Sequence, residues 1–186
     1  MIRFEHVTFG YALQRSVLRD FSMTVPEGGR VCLTGPSGEG KTTALRLLLG
    51  LEKPRKGTVS VPEGVRFSAV FQENRLLPWK TVLENAALFS DEESARRILS
   101  TLGLGDSLDA LPETLSGGMK RRAALGRALA HPFDVLVLDE ALTGLDGETK
   151  QRCLVAIDEA VGRRTLVLAT HDAGEARALG AETVTL

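Results

Sequence analysis

Apolar residues recur along this chain in two textures. In the first, short apolar runs return at intervals. Ile2-Arg3-Phe4 and the stretch from Val17 to Val25 place apolar residues at about every second position, and Pro26-Glu27-Gly28-Gly29 then predicts a turn. Val31-Cys32-Leu33 is continuous, and glycines and a helical pattern through Leu45, Leu47, Leu48 and Leu49 follow it, which reads as strand, tight loop, helix. The alternation returns as Val135 to Leu138 before Thr149 to Val161, and as Thr165 to Ala169 before Asp172 to Leu179, closing with Thr183 to Leu186. Runs buried on both faces and separated by helices predict a largely parallel α/β sheet. The second texture fills roughly residues 76–130. It carries no convincing strand, and its helical segments at Ser94 to Leu102 and Met119 to Leu129 are separated by Gly103, Gly105 and Pro112. A helical lobe inserted between two strands of the sheet is the expected arrangement.

The most specific chemical signal lies where the first continuous run ends. Gly35-Pro36-Ser37-Gly38-Glu39-Gly40-Lys41-Thr42 fits G-x-x-x-x-G-K-[ST] between an expected strand and an expected helix, the context that motif requires. Glycines let backbone N–H groups turn around a phosphate, and the next helix presents its unpaired amides to the same anion. Lys41 supplies a point charge for β and γ phosphates, and the Thr42 hydroxyl is a ligand for Mg²⁺. Nucleotide binding is the first expectation. A carboxylate for the metal is expected at the end of a buried strand, and Val135-Leu136-Val137-Leu138-Asp139-Glu140 supplies two. Adjacent side chains on an extended strand point in different directions, so Asp139 is read as the Mg²⁺ residue and Glu140 as the one that polarises an attacking water.

Further along, Leu115-Ser116-Gly117-Gly118-Met119 resembles the signature motif of the ATP-binding cassette family and lies upstream of Asp139-Glu140, as it does there. Gln72 after Ala69-Val70-Phe71 resembles the family's Q-loop, Ala141 to Asp146 its D-loop, and Thr170-His171-Asp172 its switch histidine. Tyr11 matches the aromatic that stacks on adenine. These motifs keep the family's order over nearly the whole chain. The resemblance implies a phosphate-loop NTPase core with a mostly parallel sheet, a small N-terminal antiparallel β part and an inserted helical subdomain. Residues 1–75 and 131–186 would form the core, and about 76–130 the helical part.

By the same resemblance, Tyr11 stacks on adenine, and Gly35 through Thr43 wrap the phosphates of ATP. Thr42, Gln72 and Asp139 arrange Mg²⁺, Glu140 is the general base, and His171 contacts the γ-phosphate. Ser116, Gly117 and Gly118 grip ATP bound to a second copy of the chain, and Asp146 links the two sites. The implied partners are that second copy, a membrane permease and, indirectly, a solute-binding protein, with the chain in the cytoplasm on the inner face of the membrane. Gln72 followed by Leu76-Leu77-Pro78-Trp79 resembles importers of nitrate, sulfonates and taurine in particular. An exposed cluster holding the chain's one Trp is an interface anchor, or else it packs inside the helical lobe. A soluble cassette ATPase without a permease, and a nucleotide-binding subunit that does not hydrolyse, are the alternatives.

Departures stand beside the matches. Arg121 occupies a position where the family usually has Gln, Ala141 replaces the Pro usual after the catalytic Glu, and the stretch from Gly57 to Phe71 is abbreviated to one turn at Pro62-Glu63-Gly64.

Composition narrows the classes. The chain has 186 residues, enough for one ordinary domain with a small lobe. Its 23 Lys and Arg against 24 Asp and Glu argue against a nucleic-acid surface driven by bulk charge, so no nucleic-acid partner is expected. Cys32 and Cys153 are too few and too separated for a disulfide framework or zinc site, which suits a reducing compartment. Apolar stretches such as Val135 to Leu138 fall far short of the roughly 20 residues of a membrane-spanning helix, so work at a membrane is expected to need other chains.

Overall fold

A computed structural model describes residues 1–11, 16–36 and 38–186. In chain order the strands and helices begin with β1 (Ile2–Phe9), β2 (Leu18–Val25), β3 (Arg30–Thr34), α1 (Lys41–Leu48), β4 (Lys56–Ser60) and β5 (Phe67–Val70). They continue with α2 (Val82–Ala86), α3 (Glu92–Thr101), α4 (Gly117–Ala130), β6 (Val135–Asp139), α5 (Gly147–Val161), β7 (Thr165–Ala169), α6 (Ala173–Ala178) and β8 (Glu182–Thr185). The chain forms two compact units. One comprises Met1–Phe67, Asp134–Asp139 and Arg163–Leu186, and the other Ser68–Phe133 and Glu140–Gly162.

The first unit holds an antiparallel sheet of order β2-β1-β4. Sequence alternation predicts only the first three residues of β1, yet the strand runs to Phe9. The reason is a change of parity. Ile2 and Phe4 are buried at even positions, Val7 and Phe9 at odd ones, and the register against β2 shifts between Phe4 and Val7. An extra residue in one strand flips every side chain beyond it to the other face. His6 takes that place with φ 52°, its N–H donating to Ser22 Oγ at 2.9 Å and its ring Nδ1 lying 2.8 Å from Asp20 Oδ1. The irregularity lets both halves of β1 face the core.

The same unit carries parallel strands in the order β6-β7-β3-β8. All five residues of β6 and of β7 are buried, as continuous apolar runs require, and α1 packs against both strands through a face that includes Ala44, Leu45 and Leu48. Fully burying each such leucine stabilises the fold by about 1.5–3 kcal/mol. Cys32 is buried here, its thiol donating to the Leu33 carbonyl at 3.8 Å.

In the second unit, α2, α3 and α4 enclose a core that includes Val82, Leu83, Leu99, Leu104, Leu115 and Ala123. Local sequence explains where these helices start. Thr81 and Glu84 form a reciprocal capping box on α2, Asp91 caps α3 and Ser116 caps α4. Gly126 costs α4 about 1 kcal/mol of helix propensity relative to Ala, but a Cβ there would lie 2.8 Å from Leu99 Cδ2 of α3, so the close approach requires it. Helix α5 packs on α3 and α4. Its Cys153 is free, with the thiol pushed up to about 11 by burial. No helix among the described residues is long and apolar enough to cross a membrane.

Candidate functional site

The glycine-rich segment lies between β3 and α1, as its pattern predicts. Gly35, Gly38 and Gly40 have φ of 141°, 88° and 107°. At Gly40 the demand is also steric, because a Cβ would sit 2.8 Å from Leu18 Cδ2. Pro36, Gly38 and Glu39 are exposed, whereas Lys41 is 8% exposed and folds back over the loop. Its Nζ donates to the Gly35 carbonyl at 2.6 Å and the Pro36 carbonyl at 3.0 Å. Ser37 lies outside the described residues. Thr42 is half-buried in the first turn of α1 and Thr43 is buried.

The start of α1 differs from the other described α-helices. Thr81, Asp91, Ser116, Asp146 and Asp172 each cap a following helix with a side-chain oxygen, but α1 has Gly40 at its N-cap, no side-chain cap and no acidic residue in its first turn. Its first N–H donors and the positive end of its dipole are thereby left to an anion.

Asp139 closes β6, on which α1 packs, and is 2% exposed. Among the described residues no group of three or more His, Cys, Asp or Glu is placed to hold a metal. The Asp139 carboxylate and the Thr42 hydroxyl are both oxygen donors, the kind Mg²⁺ takes, since it binds one or two carboxylates and fills its remaining positions with water and phosphate oxygens. Tyr11 is 57% exposed, its ring edge-on to Phe9 at 5.0 Å. Its hydroxyl accepts from Arg46 Nη1 at 3.2 Å and lies 3.4 Å from Thr43 Oγ1. His171 is exposed after β7, and Asp172 beside it caps α6. All of these residues belong to the first unit.

The second unit carries the remaining candidates. Glu140 has φ 51°, a conformation that costs a non-glycine residue on the order of 1–3 kcal/mol and is characteristic of functional turns. Its Oε2 accepts from Thr143 Oγ1 at 2.9 Å, a partner sitting in the D-loop-like segment to which sequence reasoning gave no separate role. Gln72 is exposed. Ser116 accepts the Met119 N–H at 3.2 Å, so the capping reading of this motif holds whatever else it does. Gly117 is exposed, and a Cβ on it would meet nothing within 4 Å. Asp146 caps α5, and the hydrogen bond from the Thr149 N–H holds its carboxyl below the usual range.

Leu76 packs on the core of the second unit, whereas Trp79 is 71% exposed. The cluster therefore divides, Leu76 lying in the lobe and Trp79 outside it. What presents Trp79 is Asn85, fully buried in α2, which accepts from the Leu77 N–H at 2.8 Å and donates to the carbonyls of Leu77, Lys80 and Thr81 at 3.1, 2.9 and 2.9 Å. The only signal for it in the sequence is a single amide on an otherwise apolar helix face.

Residues 18–143 match the sequence profile of the family described as ABC transporter. The chain belongs to this family. Among curated ABC relatives, the aliphatic sulfonates import ATP-binding protein SsuB 1 of Paracoccus denitrificans is 43% identical over 171 residues, covering 87% of this chain and 69% of that protein. The aliphatic sulfonates import ATP-binding protein SsuB of Granulibacter bethesdensis is 42% identical, covering 97% of this chain and 76% of its own length. Among solved structures, the dimeric bacterial ABC transporter cassette MJ0796 superposes with a TM-score of 0.89 at 27% identity, covering all of this chain and 94% of that one. The same cassette has been solved in a post-hydrolysis state bound to ADP and Pi, again with a TM-score of 0.89. Against the ABC pattern, the two substituted positions have different surroundings. Ala141 is 4% exposed, while Arg121 of α4 reaches the Phe71 carbonyl with Nη1 at 3.1 Å.

Proposed function

We propose that this chain is the ATP-hydrolysing subunit of an ABC importer for small sulfonates or chemically related anions, seated on the inner face of the membrane through a permease. The uncapped N-terminus of α1 behind three left-handed glycines is the observation that carries the nucleotide reading. Similarity to the sulfonate import proteins supports the transport reading.

In this reading Tyr11 stacks on adenine, and the segment from Gly35 to Thr43, with Ser37 among its members, wraps the phosphates. Lys41 releases the Gly35 and Pro36 carbonyls to reach the β and γ phosphates. Thr42, Asp139 and the Gln72 amide oxygen would hold Mg²⁺, which supplies positive charge to the phosphate oxygens as the transferred group leaves. Glu140, oriented by Thr143, takes a proton from water; the water oxygen bonds to the γ-phosphorus, and the bond from that phosphorus to the bridging oxygen of ADP breaks. His171 contacts the γ-phosphate. Ser116, Gly117 and Gly118 face ATP on a second copy, where the open space over Gly117 leaves room for a phosphate, and Asp146 links the paired sites. Trp79 anchors the permease.

Replacing Glu140 by Gln removes the base and keeps the shape. We expect ATP binding to persist, hydrolysis to fall by about 10²- to 10⁴-fold, and an ATP-bound dimer to accumulate in gel filtration. Undiminished hydrolysis would remove Glu140 from the mechanism. Transport is tested by reconstitution with the permease and solute-binding protein, where a sulfonate should stimulate hydrolysis.

A further inference from the structure

Arg121 is a departure from the family pattern to which the mechanism gives no role. It lies in α4, whose first turn carries Gly117 and Gly118 and whose N-cap is Ser116. Its Nη1 donates to the carbonyl of Phe71, the residue immediately before Gln72. Farther along α4, Arg127 donates from Nη1 to the Arg75 carbonyl at 2.8 Å and from Nη2 to the Asn74 carbonyl at 3.2 Å. Two guanidiniums of one helix thus grip both ends of residues 71–75, and exposed Gln72 lies between the grips. The segment is braced internally as well. The Arg75 guanidinium sits 4.7 Å from the centre of the Phe71 ring, and Arg75 turns the backbone with φ 45°.

The geometry points to Arg121 and Arg127 as positioning residues that lock the Gln72 loop to α4, so that any displacement of Ser116, Gly117 and Gly118 carries Gln72 with it. The catalytic consequence rests on the reading of Gln72 given above. A Gln at 121 is two bonds shorter than Arg and uncharged, so it does not reach the Phe71 carbonyl from the same helix position. Arg121, at a position where the family usually has Gln, therefore stiffens the connection between the signature helix and the loop.

Two measurements on the full chain test this. In hydrogen exchange, Arg121→Met and Arg127→Met should each speed exchange of the amides of residues 72–79 by about tenfold, with the interior of α4 unchanged. Arg121→Gln, which installs the family's usual residue, should do the same and serves if a Met variant fails to fold. In ATP hydrolysis, Arg121→Met should lower kcat by about three- to tenfold with KM for ATP held within about twofold, and Arg121→Lys should recover part of the loss. In a Gln72→Ala background, Arg121→Met should add nothing. Unchanged exchange at 72–79, or an equal loss of kcat in both backgrounds, overturns the lock. If Gln72→Ala itself leaves hydrolysis intact, the Mg²⁺ reading of Gln72 falls, and the exchange pattern alone decides the lock.

Discussion

Asp134 lies just before β6, and its contacts show what a single exposed side chain contributes. Its carboxylate takes both Nη2 and Nε of Arg66, at 2.9 and 3.1 Å, and also the Arg66 N–H at 2.9 Å, while its own N–H donates to the Arg66 carbonyl at 2.8 Å. The guanidinium hydrogen bonds foremost, then the one from the Arg66 N–H, hold the carboxyl down to about 2 from its ordinary 3.8. A carboxyl depressed in the folded state adds stability that is fully present above the unfolded value and is lost as pH falls through the folded one. We therefore predict that Asp134→Asn lowers the unfolding midpoint at pH 5 to 7, and that the gap from the parent chain narrows as pH falls from about 4 through about 2 and closes below that. A gap that stays constant with pH would mean the effect is not electrostatic. The pairing of Arg66 with Asp134, 68 residues apart, is invisible in the sequence because no local pattern records it. Glu140 is the opposite case, since its place directly after a buried apolar run is legible in the sequence.

Helix α2 is only five residues long. Its capping box at Thr81 and Glu84 follows a familiar local rule, but Asn85 uses its whole amide on the backbone from Leu77 to Thr81. A buried donor or acceptor left without a partner costs about 1–3 kcal/mol, so Asn85→Leu, which strands several at once, should destabilise the chain by about 2–4 kcal/mol. Urea unfolding measures that loss. The single Trp reports the local consequence, because fluorescence anisotropy of Trp79 should fall as the turn carrying it loosens. Unaltered anisotropy would show that Pro78 and the flanking packing suffice to hold the turn. A polar residue on an apolar helix face reads from sequence as a weak point, and only the path of the preceding loop makes it the organiser of that turn.

At the scale of the molecule, the residues proposed for ATP chemistry are divided between the two units, with Lys41, Asp139 and His171 in one and Gln72, Glu140 and the signature residues in the other. Exposed apolar side chains on the second unit, Trp79 at 71% and Phe89 at 68%, are the features that suit a protein partner. We predict that Trp79→Asp leaves ATP hydrolysis by the isolated chain within about twofold of the parent and abolishes co-purification with the permease in detergent. Retained assembly would move the interface elsewhere. The sequence by itself determined the alternation of strand and helix, the phosphate loop and the order of the motifs, because these depend on residue type at short spacing, where backbone conformation and hydrophobic period act directly. Tertiary structure alone decided the bulge that keeps β1 facing the core, the Arg66–Asp134 link, the service of Asn85 to its loop and the grip of Arg121 and Arg127 on either side of Gln72. Each of these joins a side chain to a backbone or strand that only folding brings within hydrogen-bond range, and a bond of that kind leaves no period in the sequence.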